Sequence, residues 1–303
     1  MNELFAADPA VFSSSNELKH FLTSFGPYSG RYLVNYPFDW GSLVKKQLEG
    51  LGDIEAEKVK TLLRRADADM TLISGHKLSW QPQRNWLENA EPLLKKTSAI
   101  SASLDGLVAK QIKPPSIHIL DTLELPPTSG ERIAGKAGEY ARVARSLLLL
   151  SPEIAIIDPY LNPLKSDYRS VLKALFELAA NGKSQKITLW TRAEKVFGTL
   201  NKLTIKSDIE DRLRELAFQA RFKTGREIEM ILVEDESRQT KMHGRYLLSI
   251  KGGVRLDQGF QQLPEGRKVE VGPVDKSIHN HLLDIYFDGK HDMVKVDRIA
   301  FKT

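Results

Sequence analysis

Cysteine is absent from the 303 residues, which excludes disulfides and thiolate metal sites and fits a reducing compartment. No apolar run approaches the ~20 residues that a membrane helix requires. The opening MNELFAADPA has no basic segment followed by an apolar one, so a cytoplasmic protein without membrane association is expected. P-loop and G-x-G-x-x-G elements are missing, and Gly135 and Gly138 fall inside a helix-like stretch, too few and too late to cradle a nucleotide. No internal repeat is apparent by eye. The expectation is a protein with neither cofactor nor metal.

What is present is a hydrophobic content of 41%, enough for a substantial core. The net charge of +5 is unevenly distributed. Residues 1–130 carry 14 Lys and Arg against 15 Asp and Glu, whereas residues 131–303 carry 30 against 24. A positive excess in one half steers polyanions toward it.

Apolar periodicity alternates between strand and helix along the whole chain. A short helix is expected within residues 1–25, a strand at RYLVNYP (31–37), helices over 38–51 and 54–66, and a buried strand at MTLIS (70–74). Trp80, Trp86 and Leu87 read as packing residues, and Asn85, Glu88 and Asn89 as polar groups that no spacing obliges to be functional. Two Pro-Pro pairs within 111–130 mark a domain boundary, with His118 between them as a partly buried histidine. Beyond it, residues 131–150 read as one helix. Near-continuous apolar strands at 153–158, 186–191 and 228–234 alternate with long helices, which predicts a parallel unit covered on both faces. Its carboxyl edge would gather Asp158, Arg192 and Glu234 or Asp235, where ligands of such sheets collect. The tail suggests a strand at 268–271, a turn at Gly272-Pro273 and a closing strand near 293–301, with His279, His281 and His291 as solvated loop residues rather than metal ligands. The fold class is α/β: a mixed sheet flanked by helices over 131–303, preceded by a smaller α/β region over 1–125.

The richest stretch is Thr240 to Phe260, TKMHGRYLLSIKGGVRLDQGF, read as a hairpin turning at Gly252-Gly253. If it is extended, His243 and Arg245 share a face. This pattern resembles the HxK strand and hairpin of the phospholipase D superfamily in an H-x-R form, and the match covers roughly residues 131–303. The resemblance implies that His243 is the nucleophile or acid, that Arg245 replaces the phosphate-binding lysine, and that Asp257 or Gln258 is the polar group of the return strand. The family's aspartate further along the strand falls near Ile250, where this chain has no acid.

The catalytic candidates are therefore His243, Arg245 and Asp257, with His76 as an intrachain source of the second histidine and a homodimer as the other source. Lys241, Arg245, Lys251, Arg255 and Arg192 are the phosphate-binding candidates. Two functions compete, of which the first is the leading expectation and the second the alternative. One is a metal-independent phosphodiesterase acting on nucleic acid. The other is an inactive module that binds nucleic acid or phosphate groups, by analogy with the degenerate domain of some MIT-domain proteins, or that serves as a subunit of a bacterial phage-defence or mobile-element complex. An arginine favours the second, because a guanidinium grips oxyanions bidentately and resists proton transfer. Lipid hydrolysis ranks last.

Overall fold

The computed structural model describes residues 3–74, 78–94, 104, 106–108, 130–198, 202–235 and 238–303. His76, His118 and the proline-rich stretch 111–129 lie outside these residues. The chain divides into two compact units, residues 2–128 and 129–303.

In the N-terminal unit, strands β1 (Glu3–Ala7), β2 (Arg31–Asn35), β3 (Leu72–Ser74) and β4 (Gly106–Val108) form a parallel sheet in the order β3-β2-β1-β4. Helices α1 (Ser15–Thr23), α2 (Trp40–Leu48), α3 (Asp53–Ala68) and α4 (Trp86–Ala90) connect them. Strand β1 is an addition to the helix expected in residues 1–25, because its Ala-rich sequence reads as helical until β2 and β4 pair with it. Helix α1 starts where the Ser14 hydroxyl accepts the Glu17 N–H, while Glu17 reaches back to the N–H of Ser13 at 2.8 Å. Its Leu18, Phe21 and Leu22 are buried, and Phe12 packs edge-on against both Phe21 and Trp40. Trp86 is buried and donates to Tyr36 O, Asn85 and Glu88 form the capping box of α4, and the buried Asn89 amide ties Gln81, Arg84 and Asn85 together. These polar residues serve the fold.

The C-terminal unit carries β5 (Glu131–Ala134), α5 (Ala137–Leu150), β6 (Glu153–Ile157), α6 (Ser166–Asn181), β7 (Lys186–Arg192), α7 (Ala193–Phe197), α8 (Lys202–Gln219), β8 (Glu227–Glu234), β9 (Arg245–Ser249), β10 (Gly252–Leu256), β11 (Lys268–Pro273), α9 (Lys276–Tyr286) and β12 (Val294–Lys302). Its eight strands form one mixed sheet ordered β12-β8-β7-β6-β9-β10-β11-β5. Strands β6, β7 and β8 are parallel, as their apolar runs predict; all other pairs are antiparallel. One face buries Ile154, Ile156, Leu189, Met230 and Leu247 beneath residues of α5, α6 and α8; the other buries Ala155, Ile157, Trp190 and Leu248 against Leu282, Ile285 and Tyr286 of α9.

Four expectations need correction. Residues 131–150 are a short edge strand followed by a helix. The hairpin turns at Ile250-Lys251, and Gly252 opens the return strand with φ +139°, a conformation that suits glycine. Strand β11 runs through Gly272-Pro273 without turning, because it stays paired with β10 there. Residues 276–286 are a helix, in which His279 is fully buried with Nε2 2.8 Å from Ser249 O; burial lowers its pKa and favours the neutral ring.

The two units also share a frame, a structural repeat where none was expected, because so few side chains are common to the two copies. The element series β1-α1-β2-α2-α3-β3 is matched by β6-α6-β7-α7-α8-β8, with strands in the same sheet order. Glu3 pairs with Arg31 as Glu153 pairs with Lys186. ELFAADP (3–9) and EIAIIDP (153–159) align without a gap, Glu with Glu and Asp-Pro with Asp-Pro, and each buried aspartate, Asp8 and Asp158, accepts the N–H two residues on at 2.9 Å.

Arg226 closes the helical layer. It is buried, and its guanidinium donates to the carbonyls of Ala179, Ala180 and Gly182 at the end of α6 at 2.8–3.2 Å. Carbonyls in the last turn of a helix lack the usual intrahelical donors; of these three, Ala179 O also accepts the Gly182 N–H at 3.0 Å. Arg226→Met keeps the apolar stem and removes the donors to Ala180 O and Gly182 O and one of the two to Ala179 O, so it should destabilise the C-terminal unit by roughly 1–3 kcal/mol, measured by urea titration of amide exchange in β6 and β7.

Candidate anion site at the carboxyl edge of the mixed sheet

After β6 the chain builds β7 and β8 to one side, then returns to place β9 on the other side of β6. The gap at the carboxyl end of β6 is therefore a switch point, the location where open α/β sheets take ligands. Ile157 pairs with Tyr246, and Arg245 pairs with Leu256. Continuing that register places Arg245 between Asp158 and Leu256, on the face carrying Ile156 and Leu247.

Asp158 is fully buried. Its Oδ1 accepts Tyr160 N–H at 2.9 Å, and its Oδ2 accepts Phe260 N–H at 2.8 Å. Burial pushes its pKa up; the two N–H groups and the charge of Arg245 pull it back only in part, so the net shift is upward. The 257–261 loop lies directly over this carboxylate, and glycine is required there: a Cβ on Gly259 would stand 2.6 Å from Asp158 Oδ2. The Tyr140 hydroxyl pins the same loop by donating to Gln261 O at 2.8 Å. The phenols of Tyr140 and Tyr168 are pushed far above the usual tyrosine range by burial first, then by nearby carboxylates, Asp257 and Asp158 for Tyr140 and Asp158 for Tyr168.

Arg245 is half-buried. Its Nη1 donates to Asp257 O at 3.2 Å, its guanidinium lies 5.5 Å from the centroid of the Tyr160 ring, and its buried Nε has no hydrogen-bond partner among the described residues. A cation is thus held by a carbonyl and an aromatic ring beside a buried carboxylate.

The other sequence candidates do not converge here. His243 is exposed and precedes β9, which begins at Arg245, so the shared strand face expected for the two residues is not formed. The preceding chain is tied down instead: Asp292 accepts the N–H groups of Gln239 and Thr240, which holds its pKa down to about 2, and Asp235 accepts Met242 N–H. Asp257 contributes its backbone carbonyl, while its carboxylate accepts Glu270 N–H at 2.8 Å. Lys251 sits in the hairpin turn at the far end of β9, roughly 13 Å along the strand from Arg245. Arg255 is exposed and pairs with Tyr246, which puts it on the opposite face. Lys241 is exposed beside the buried Met242.

Arg192 is committed to an internal ion pair. Its Nη2 donates to Asp235 Oδ2 at 3.1 Å and its Nε lies 3.0 Å from Oδ1, with Asp235 1% exposed. This pair borders a cleft of about 260 Å³ that Glu194 and Glu234 also line, an acidic setting unlike a phosphate clamp. Among the described residues no group of three His, Asp or Glu side chains is arranged to hold a metal ion, and no helix is long and apolar enough to cross a membrane.

The residues that sequence reasoning did not select are Tyr160 and Tyr168, which join Asp158 near Arg245, and Tyr140, which holds the loop above Asp158. Their only local signal is Asp-Pro-Tyr at the end of an apolar strand.

No family model matches the chain, and no curated protein matches it. Among solved structures, the chain is similar to TrmBL2, an archaeal chromatin protein whose structure is described as showing a novel mode of DNA binding. The identity is 10% over 82% of this chain and 87% of that one, with a TM-score of 0.30.

The burial of Asp158 has a measurable sign. Its folded pKa is raised, so the folded state holds the proton more tightly than the unfolded chain. This contribution to stability is present at low pH and fades as pH rises above the unfolded value of about 3.9. The stability of wild type relative to Asp158→Asn should accordingly fall between pH 4 and pH 7 in urea titrations; a difference that rises across that range contradicts the assignment.

Proposed function

We propose that the C-terminal unit is a phospholipase D-like module that binds the phosphate groups of nucleic acid through Arg245, without turnover. The observation that carries this reading is the fixed guanidinium at the switch point, held by Asp257 O and the Tyr160 ring beside buried Asp158. A preorganised guanidinium loses little entropy on gripping a bidentate oxyanion. The positive excess of residues 131–303 supports a polyanionic partner. Turnover has less behind it: one oxygen of Asp257 accepts Glu270 N–H, and the position of the family's acid is Ile250, in the hairpin turn at the far end of β9.

A second reading, a metal-independent nuclease, rests on the exposure of His243 two residues before Arg245. There His243 attacks phosphorus while Arg245 holds the nonbridging oxygens; the P–O bond to the leaving alcohol breaks as the histidine of a second copy of the chain protonates that oxygen, and water then attacks the phosphohistidine to free His243.

The two readings separate in one set of measurements. For the binding module, Arg245→Ala weakens nucleic-acid binding by roughly 1–3 kcal/mol, affinity falls as salt rises, and His243→Ala binds as wild type. Cleavage of an oligonucleotide in EDTA by wild type, abolished in His243→Ala with binding intact, overturns it in favour of the nuclease.

A further inference from the structure

We infer that Tyr160 is a base-stacking platform, so that the nucleic acid taken at the Arg245 site is single-stranded. This rests on the nucleic-acid reading above and adds the strandedness of the ligand.

Tyr160 is 44% exposed, in a turn that is otherwise rigidly built. Its own N–H is held by Asp158, Leu161 N–H donates to Asp158 O at 3.1 Å, and Arg192 N–H donates to Pro159 O, which moors the turn to the end of β7. The exposed part of an aromatic ring on a fixed backbone gains nothing from burial where it stands. Two cations attend its ring. Arg245 lies 5.5 Å from the centroid, anchored from behind by Asp257 O, and Lys195 Nζ lies 5.7 Å from it.

The two cations differ in mobility. Lys195 is exposed, and its other contact is with the adjacent Glu194 carboxylate at 2.8 Å. A long ammonium side chain so placed swings aside at little cost. A nucleobase that takes its place over the ring gains base–aromatic stacking, and the displaced ammonium stays within reach of a neighbouring phosphate. Arg245 holds the phosphate of the same strand. Paired bases are already stacked within the duplex and present no free face to a lone tyrosine, so the platform discriminates against double strands.

The test uses the full chain with fluorescein-labelled 20-mers, single-stranded oligo-dT and oligo-U and a blunt duplex, read by anisotropy at one salt concentration. Tyr160→Ala is expected to lose about 5- to 150-fold in affinity for both single strands, with its duplex affinity within about twofold of wild type. Tyr160→Phe, which keeps the ring, is expected to bind like wild type. Amide-exchange protection of β6 checks that each variant is folded. Unchanged single-strand binding by Tyr160→Ala, or equal losses for single strand and duplex, overturns the platform and leaves the Arg245 reading standing. Wild type that binds none of the three probes overturns the nucleic-acid reading and the platform with it.

Discussion

The carboxyl edge of the mixed sheet depends on one buried carboxylate. Asp158 spans 102 residues of sequence to accept the N–H of Phe260, and it also accepts the N–H of Tyr160. Unpaired, an anion at that depth would cost several kcal/mol. The two N–H groups and the neighbouring arginine offset much of this, and in doing so they fix three things together: the turn after β6, the loop after β10 and the place of Arg245. Glycine at 259 is the steric counterpart of the same contact, since any side chain there would meet the carboxylate.

Arginine at 245 is intelligible in this setting. A lysine offers a single mobile charge, whereas a guanidinium can rest on the Tyr160 ring, donate to Asp257 O and still retain N–H groups for an oxyanion. The acids close to Arg245 are already engaged with backbone N–H groups: Asp158 with those of Tyr160 and Phe260, Asp257 with that of Glu270.

The three parallel strands were legible because strands covered on both faces must be apolar throughout, and β6, β7 and β8 are. Helix α9 was hidden because its buried face includes His279, a residue that reads as polar until Ser249 O is brought to its ring. The strand β5 was absorbed into α5 because four residues of edge strand carry too short a pattern to stand apart. Arg245 was visible as a motif residue and Asp158 as an acid at a strand end. Their adjacency was not, because it depends on β9 returning antiparallel to β6 in one register, which no local pattern encodes. The same dependence explains why Lys251 and Arg255 looked like neighbours of the site: closeness in sequence around a hairpin means opposite ends or opposite faces in the sheet.

The repeated strand-and-helix frame leaves its two copies distinguished by the polarity of a fourth strand. Beside β1 that strand is parallel, so the carboxyl edge next to Asp8 receives the end of β4; beside β6 it is antiparallel, so the edge next to Asp158 receives the beginning of β9. Reversing one strand thus changes which residues the repeated aspartate meets without altering the frame that holds it. The vocabulary available to the first copy is whatever leaves a strand, and to the second whatever enters one. A doubled architecture can in this way offer two chemically independent edges from a single folding plan.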